Sequence, residues 1–330
     1  MNCLRNMKRF ITGVVVVLTL GVTAEITNTV KVTKFHQSYP YSGKATVEYT
    51  VGGTLSANAV AEIILNTDDA SATFVQENIV TGANTFTIDF ASSFGGALLL
   101  TNASFVVTIA EGVQLWANGP YWAKCNVGAS KPEDYGYYFW WGDTVGYTRS
   151  GGTWIDDADG GYYTGMTWVS STGEQMSSSP FSSSSCPTYG KDDSALLSAG
   201  YIDATGNLVP EHDAACVHWG GEWRMPTAAE ISSLVSNCTT TWITTNGVSG
   251  RLVTGKGNYA NRSIFLPAAG YGNATGLNRT DSEGYYSSSS PKSDNLRYVR
   301  SIFFYSNGIN LSSNGRWLGQ SVRPVRGFAP

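Results

Sequence analysis

Histidine, cysteine and long apolar runs are all scarce in this sequence, and each scarcity removes a class of function. Only 3 histidines occur in 330 residues. His36 stands apart from the other two. His212 and Asp213 precede His218 in EHDAACVHWGG at a spacing that suits neither a helical metal pair nor a hydrolase triad, and no GxSxG elbow occurs. The bland role for these side chains is to hydrogen-bond a loop. The 5 cysteines include no CxxC pair and no Cys/His spacing of the zinc kind, which argues against a structural metal. Beyond the first residues no stretch is apolar for long enough to span a bilayer, so no membrane span is expected. Lysine and glutamate are few and helical periodicity is nearly missing. Glycine, serine, threonine, tyrosine and tryptophan take their place, the composition of a secreted chain rich in strands and loops.

What is present begins with a leader. Arg5, Lys8 and Arg9 precede an apolar run from Phe10 to Val22, and Val22-Thr23-Ala24 offers small residues to a signal peptidase. Residues 1–24 read as a secretory signal peptide, with a mature chain from Glu25 that is secreted, on the cell surface or in the periplasm. Removing those three positive charges takes the formal net charge from −4 to −7, which speaks against a nucleic-acid partner. Cys125, Cys186, Cys216 and Cys238 remain, an even number in an oxidising compartment, so two disulfides are expected. Spacing leaves all three pairings open.

The mature chain reads as two domains. In residues 25–112 the text alternates: KATVEYTV puts Ala45, Val47, Tyr49 and Val51 on one face, TFTIDF does so with Phe86, Ile88 and Phe90, and SFVVTIA with Phe105, Val107 and Ile109. Antiparallel strands with one buried face predict an Ig-like β-sandwich, whose plain role is a spacer. At EGVQLWANGPYWAKCNVGA the texture changes to Gly, Trp and Asn, and residues 113–330 read as a mainly β domain of α+β type. One helix is written clearly there: Thr227 and Glu230 form a capping box after Pro226, with Ile231, Leu234 and Val235 on one side. YVRSIFFYSNGINLSS predicts two strands joined at Ser306-Asn307-Gly308, GQSVRPVRG a last strand, and YYSSSSPKSDN a surface loop.

The segments LWANGPYWAKCNVGASKPEDYGYYFWWGDT, WGGEWRMPTAAEISSLVSNCTTTW, SIFLPAAGY, GYYSSSS and GQSVRPVR, in this order, resemble the Fibrobacter succinogenes major paralogous domain of secreted gut-bacterial proteins. WRMPTAAE is also similar to the helix start of the formylglycine-generating-enzyme family, which implies a C-type-lectin-like fold. VKVTKFHQSYPYSGKATVEYTVGG looks like the β-sandwich module that precedes such domains. The resemblance implies that Cys125 and Cys238, both inside family motifs, pair with each other, leaving Cys186 and Cys216 for the second bridge.

A formylglycine-generating activity would need a reactive cysteine pair late in the domain, and no cysteine follows Cys238. The acids Asp143, Glu222 and Asp281 are too scattered to nominate as a glycosidase pair. The loop Asp156 to Gly161 lacks the acid at Ile155 and the Glu at Met166 that an EF-hand would require, so no cofactor is expected, with calcium in another loop geometry left open. What remains is binding of a glycan or protein ligand. The late strands supply suitable contact residues in Arg297, Tyr298, Arg300, Tyr305, Asn310, Arg316 and Trp317. Alternation turns Ile302 and Phe304 inward and Phe303 and Tyr305 outward. In GYYFWWGDT it sets Tyr137, Phe139 and Trp141 against Tyr138 and Trp140. The family usually has a smaller residue where Trp140 stands, which makes Trp140 a candidate contact. Rival readings are an enzyme on the same scaffold with another site, and a purely structural surface protein.

Overall fold

Period-two burial organises the first unit, which ends at Glu111. The computed structural model describes residues 28–37, 43–56, 58–67, 71–89, 103–158 and 160–327. The leader, Phe90 and Asp159 lie outside the described residues. Strands β1 (Thr29–Gln37), β2 (Lys44–Gly52) and β5 form one antiparallel sheet in the order β1-β2-β5, with β3 (Ala59–Asn66), β4 (Ser71–Gln76), β5 (Gly82–Asp89) and β6 (Ser104–Glu111) following in the chain. The order β4-β3-β6 makes the second sheet. Ala45, Val47, Tyr49 and Val51 from β2 share a core with Ile63, Leu65, Phe105 and Val107, and the rings of Phe35 and Phe105 meet at 4.2 Å. A two-sheet sandwich results, held by apolar burial and without a cysteine.

The second unit starts at Gly112. Its elements run β7 (Val113–Gln114), β8 (Tyr121–Trp122), β9 (Tyr147–Ile155), β10 (Tyr162–Ser170), α1 (Asp193–Ser198), α2 (Ala214–Trp219), α3 (Ala228–Asn237), β11 (Thr239–Thr245), β12 (Val248–Thr254) and β13 (Ser263–Pro267). Then come β14 (Tyr271–Asn273), β15 (Gly276–Asn278), β16 (Glu283–Pro291), β17 (Tyr298–Tyr305), β18 (Gly308–Gly315) and β19 (Val325–Arg326). Among the described residues these strands form four small antiparallel sheets: β14-β15-β10-β9, β11-β12-β13, β16-β17-β18 and β19-β8-β7.

The helix α3 has the capping box written in its sequence. Glu230 donates its amide to the Thr227 hydroxyl at 3.2 Å, and its carboxylate accepts from the Thr227 amide at 2.8 Å. The same carboxylate, on a residue only 3% exposed, takes both arms of Arg224, at 2.8 and 2.6 Å. The helices α1 and α2 are too short to show a period in sequence and are set by their caps. Asp192 accepts from the Ala195 amide at 2.7 Å. Asp213 accepts from Ala215, Cys216 and Met225, tying α2 to the strand-like WRMP segment.

Two segments differ from expectation. The serine run expected as a surface loop lies in β16, with Ser287, Ser288 and Ser289 buried. Ser288 finds its partners inside, its hydroxyl donating to Arg300 O at 2.7 Å and its carbonyl accepting from Trp141 Nε1 at 3.0 Å, while the Ser287 hydroxyl is buried without a hydrogen bond. The last strand shrinks to the two residues of β19, because the preceding Arg323 is wholly buried and its guanidinium donates to the carbonyls of Ala123, Lys124 and Phe265.

The cysteines also differ. All four are free thiols in separate surroundings, so neither bridge implied by the resemblance forms. Cys186 lies 3.2 Å from the Thr188 hydroxyl, Cys216 sits at the start of α2 beside Asp213, Cys125 adjoins Arg323, and Cys238 closes α3 near Lys256.

The aromatic run is a partition between two cores. Phe139 and Trp141 pack with Val127, Leu196, Met225 and Val299, while Tyr138 packs with Tyr147, Trp168 and Phe181. Strand alternation therefore points into protein on both sides.

Candidate functional site

Residues 278–284, NRTDSEG, form a turn in which Arg279 and Asp281 have φ of 59° and 61°. Left-handed backbone costs an L-residue roughly 1–2 kcal/mol, so something must hold it. Three main-chain bonds do: Arg279 N to Gly161 O at 3.0 Å, Asp281 N to Ala268 O at 2.7 Å, and Glu283 N to Arg279 O at 3.0 Å. Asp281 Oδ1 also accepts from the Ser249 amide at 3.1 Å. Over-determined strain of this kind gathers at functional sites.

The turn delivers an ion pair to the edge of the β16-β17-β18 sheet. Arg279 Nη1 is 2.6 Å from Glu283 Oε1, and the Tyr285 hydroxyl donates to the other carboxylate oxygen. Burial first, then the bond to Glu283, pushes the Tyr285 phenol far above its ordinary range, so it remains a donor. Pairing sets the rest: Glu283 opposes Tyr305, Tyr285 opposes Phe303, and Phe303 opposes Asn310. Opposed residues share a face. Ring centroids follow one another from Tyr271 to Tyr285 at 4.9 Å, to Phe303 at 5.1 Å and to Tyr305 at 5.8 Å. Tyr305 is exposed and the other three rings are half-buried. The result is a row of four rings edged by a carboxylate, a guanidinium and the Asn310 amide, suited to a ligand with flat apolar faces and polar edges.

Of the residues nominated from sequence, only Tyr305 and Asn310 belong to this face. Tyr298 and Arg300 fall on the opposite side of β17, where Tyr298 is exposed and Arg300 is half-buried with its Nη1 3.4 Å from Ser313 Oγ. Arg297 is exposed in the turn before β17, and Trp317 is half-buried after β18. Arg316 is not a surface contact. It is 0% exposed and donates to the carbonyls of Tyr298, Thr188 and Lys191, leaving only Nη2 without a partner. Trp140 is half-buried against the Tyr138, Trp168 and Phe181 cluster. Sequence reasoning missed Tyr271, Tyr285, Arg279 and Glu283. The alternation that turns Phe303 and Tyr305 outward was the one available signal, and it extends to Tyr285 once GYYSSSS is recognised as a strand.

The other polar candidates serve the frame. His218 Nε2 lies 3.0 Å from Thr144 O with its ring against Tyr137 and Phe139, and His212 stacks on Tyr201 at 4.1 Å. Asp143 is 4% exposed and accepts from the amides of Val145 and Gly146; burial raises its carboxyl to about 6. In the acidic loop Asp156 accepts from Trp154 Nε1 and Asp157 from the Gly161 amide, both at 2.9 Å. Among the described residues no group of three or more His, Cys, Asp or Glu side chains is placed to hold a metal ion, and no helix is long and apolar enough to cross a membrane.

Fold and face together define a mainly β chain of two units whose second unit carries an aromatic sheet face. No family model, curated protein or solved structure matches it.

Proposed function

We propose that this chain is an exported bacterial recognition or adhesion protein whose second unit binds a glycan on the outer face of β16-β17-β18. The row Tyr271, Tyr285, Phe303 and Tyr305 carries the reading. Sugar rings offer apolar C–H faces that lie on aromatic rings, and hydroxyl edges that Glu283, Arg279 and Asn310 can bond. The rings are already ordered by one another, so a ligand meets little entropic cost in using them. The leader and the motifs that resemble the Fibrobacter succinogenes major paralogous domain agree with an extracytoplasmic binding role. Thiol chemistry on a formylglycine-generating scaffold has less support, since burial raises all four cysteine thiols rather than exposing an activated thiolate.

The test is a glycan array followed by affinity electrophoresis in polysaccharide gels, using the chain from Glu25 with and without calcium. Retention by at least one glycan, lost in Phe303→Ala and Tyr305→Ala, is expected. Retention by none, or equal retention of both variants, sinks the proposal.

A further inference from the structure

The aromatic row does not end at Tyr271. Register carries it across a second sheet: Tyr271 opposes Asn278, Asn278 opposes Tyr162, and Tyr162 opposes Ile155, on β14, β15, β10 and β9 in turn. Opposed residues share a face. The inward face of these strands is the other one, where Leu277 is 2% exposed and Tyr163 packs against the Trp168 and Phe181 cluster. Tyr271, Asn278 and Tyr162 are half-buried, and Ile155 is exposed.

The two sheets meet at glycines. Gly270 and Gly284 form a parallel bridge, and the Gly270 amide donates to Glu283 O at 2.8 Å. A Cβ at Gly270 would fall 1.9 Å from Asn278 O, and one at Gly284 2.1 Å from the Phe304 ring, so glycine is what lets the strands approach. The next residues, Tyr271 and Tyr285, are set side by side by the bridge, in keeping with their ring separation of 4.9 Å. The strands thus follow in the order β9-β10-β15-β14-β16-β17-β18. At about 4.8 Å per strand, the row from Ile155 to Asn310 is roughly 25–30 Å long.

Resting on the glycan-binding reading, we infer that this face takes an internal run of an extended, ribbon-like β-linked polysaccharide rather than a chain end or a single sugar. Length is the first reason, since one sugar covers only a fraction of the row. Openness is the second: Ile155 and Asn310 at the two ends are both exposed, and β9 and β18 are the outer strands of their sheets, so a chain can pass over both ends. Equatorial β-linkages keep successive sugar rings in a flat ribbon that offers one apolar face after another, whereas an axial α-linkage coils them away from a row. The amides of Asn278 and Asn310 and the Arg279–Glu283 pair are distributed along the row, where hydroxyl edges recur.

The experiment is calorimetry on the chain from Glu25 with cellobiose and cellohexaose, xylobiose and xylohexaose, and mannobiose and mannohexaose, with maltohexaose as the coiled control. At least one β-linked hexasaccharide should bind about tenfold or more tighter than its disaccharide and than maltohexaose, because each further sugar engages the row intramolecularly. Ile155→Ser and Tyr162→Ala, with melting temperatures checked against the wild type, should each cut that gain about fivefold. Equal affinity for disaccharide and hexasaccharide, an undiminished gain in both variants, or equal binding of maltohexaose overturns the inference while leaving glycan binding on the four rings intact. Retention of an array glycan with no binding of these probes does the same. Binding of no glycan of any kind removes both readings.

Discussion

The guanidinium of Arg316 lies 4.9 Å from the centre of the Trp141 ring, with Arg316 at 0% and Trp141 at 1% exposure. The Trp141 amide also donates to Arg316 O at 2.7 Å, and two residues earlier Phe139 and Gln320 exchange main-chain bonds. The aromatic run is thereby stitched to a segment some 180 residues later, and the cation is placed where desolvation strengthens its attraction to the ring.

Replacing Arg316 therefore removes a fastener. Arg316→Ala takes a donor from each of the carbonyls of Tyr298, Thr188 and Lys191, the first two keeping the main-chain amides of Lys292 and Lys191, and opens a void beneath Trp141. A loss of about 3–5 kcal/mol in urea unfolding is expected, with Arg316→Lys intermediate because it keeps the charge but not the fork. A loss below about 1 kcal/mol would show that the guanidinium is not buried as described.

Asp143 gives the protein a pH dependence of defined sign. Its carboxyl, raised by burial from the ordinary 3.8 to about 6, binds its proton more tightly in the folded chain than in the unfolded one. That stabilisation is complete below pH 3.8 and is lost as pH rises through 6. The difference in unfolding free energy between the wild type and Asp143→Asn should therefore change by about 2–3 kcal/mol between pH 4 and pH 7. Parallel curves for the two proteins would contradict it.

How far the fold was legible follows from which forces act locally. Strand alternation in β2, the hairpin at Ser306-Asn307 and the capping box of α3 depend on neighbours in sequence and could be read there. β16 could not, because Ser287, Ser288 and Ser289 are turn-formers by local chemistry and become strand residues through remote partners: Ser321 O for the Ser287 amide, Arg300 O for the Ser288 hydroxyl and Pro226 O for the Ser289 amide. Arg316 and Arg323 fail for the same reason: an arginine reads as surface until its carbonyl partners, remote in the chain, are known. The ligand face was half legible, since Tyr305 and Asn310 follow from alternation while Arg279 depends on a left-handed turn without a glycine to announce it.

The cysteines make a further prediction. With the Cys216 and Cys238 thiols raised by burial to about 12 and about 11, and Cys125 and Cys186 buried as well, the folded protein should react slowly with Ellman's reagent at about pH 8. Denaturant should release four thiols, and dithiothreitol should not shift the melting temperature. A Cys125 to Cys238 bridge in a non-reducing peptide map would restore the pairing that the family resemblance implies.

The last prediction separates Glu283 as a ligand contact from Glu283 as a support. Its carboxylate holds Arg279 on one oxygen and Tyr285 on the other. Glu283→Gln keeps the shape but loses the charge, so the turn should weaken by about 1 kcal/mol, the usual scale for a part-exposed ion pair. Glycan retention should fall by about tenfold if the carboxylate also accepts a hydroxyl from the ligand. Arg279→Met breaks the same ion pair but leaves the carboxylate free to accept. Support alone predicts equal losses in the two variants. A larger loss in Glu283→Gln marks the carboxylate as a contact, and unchanged retention in both would remove the charged edge from the site and leave the rings.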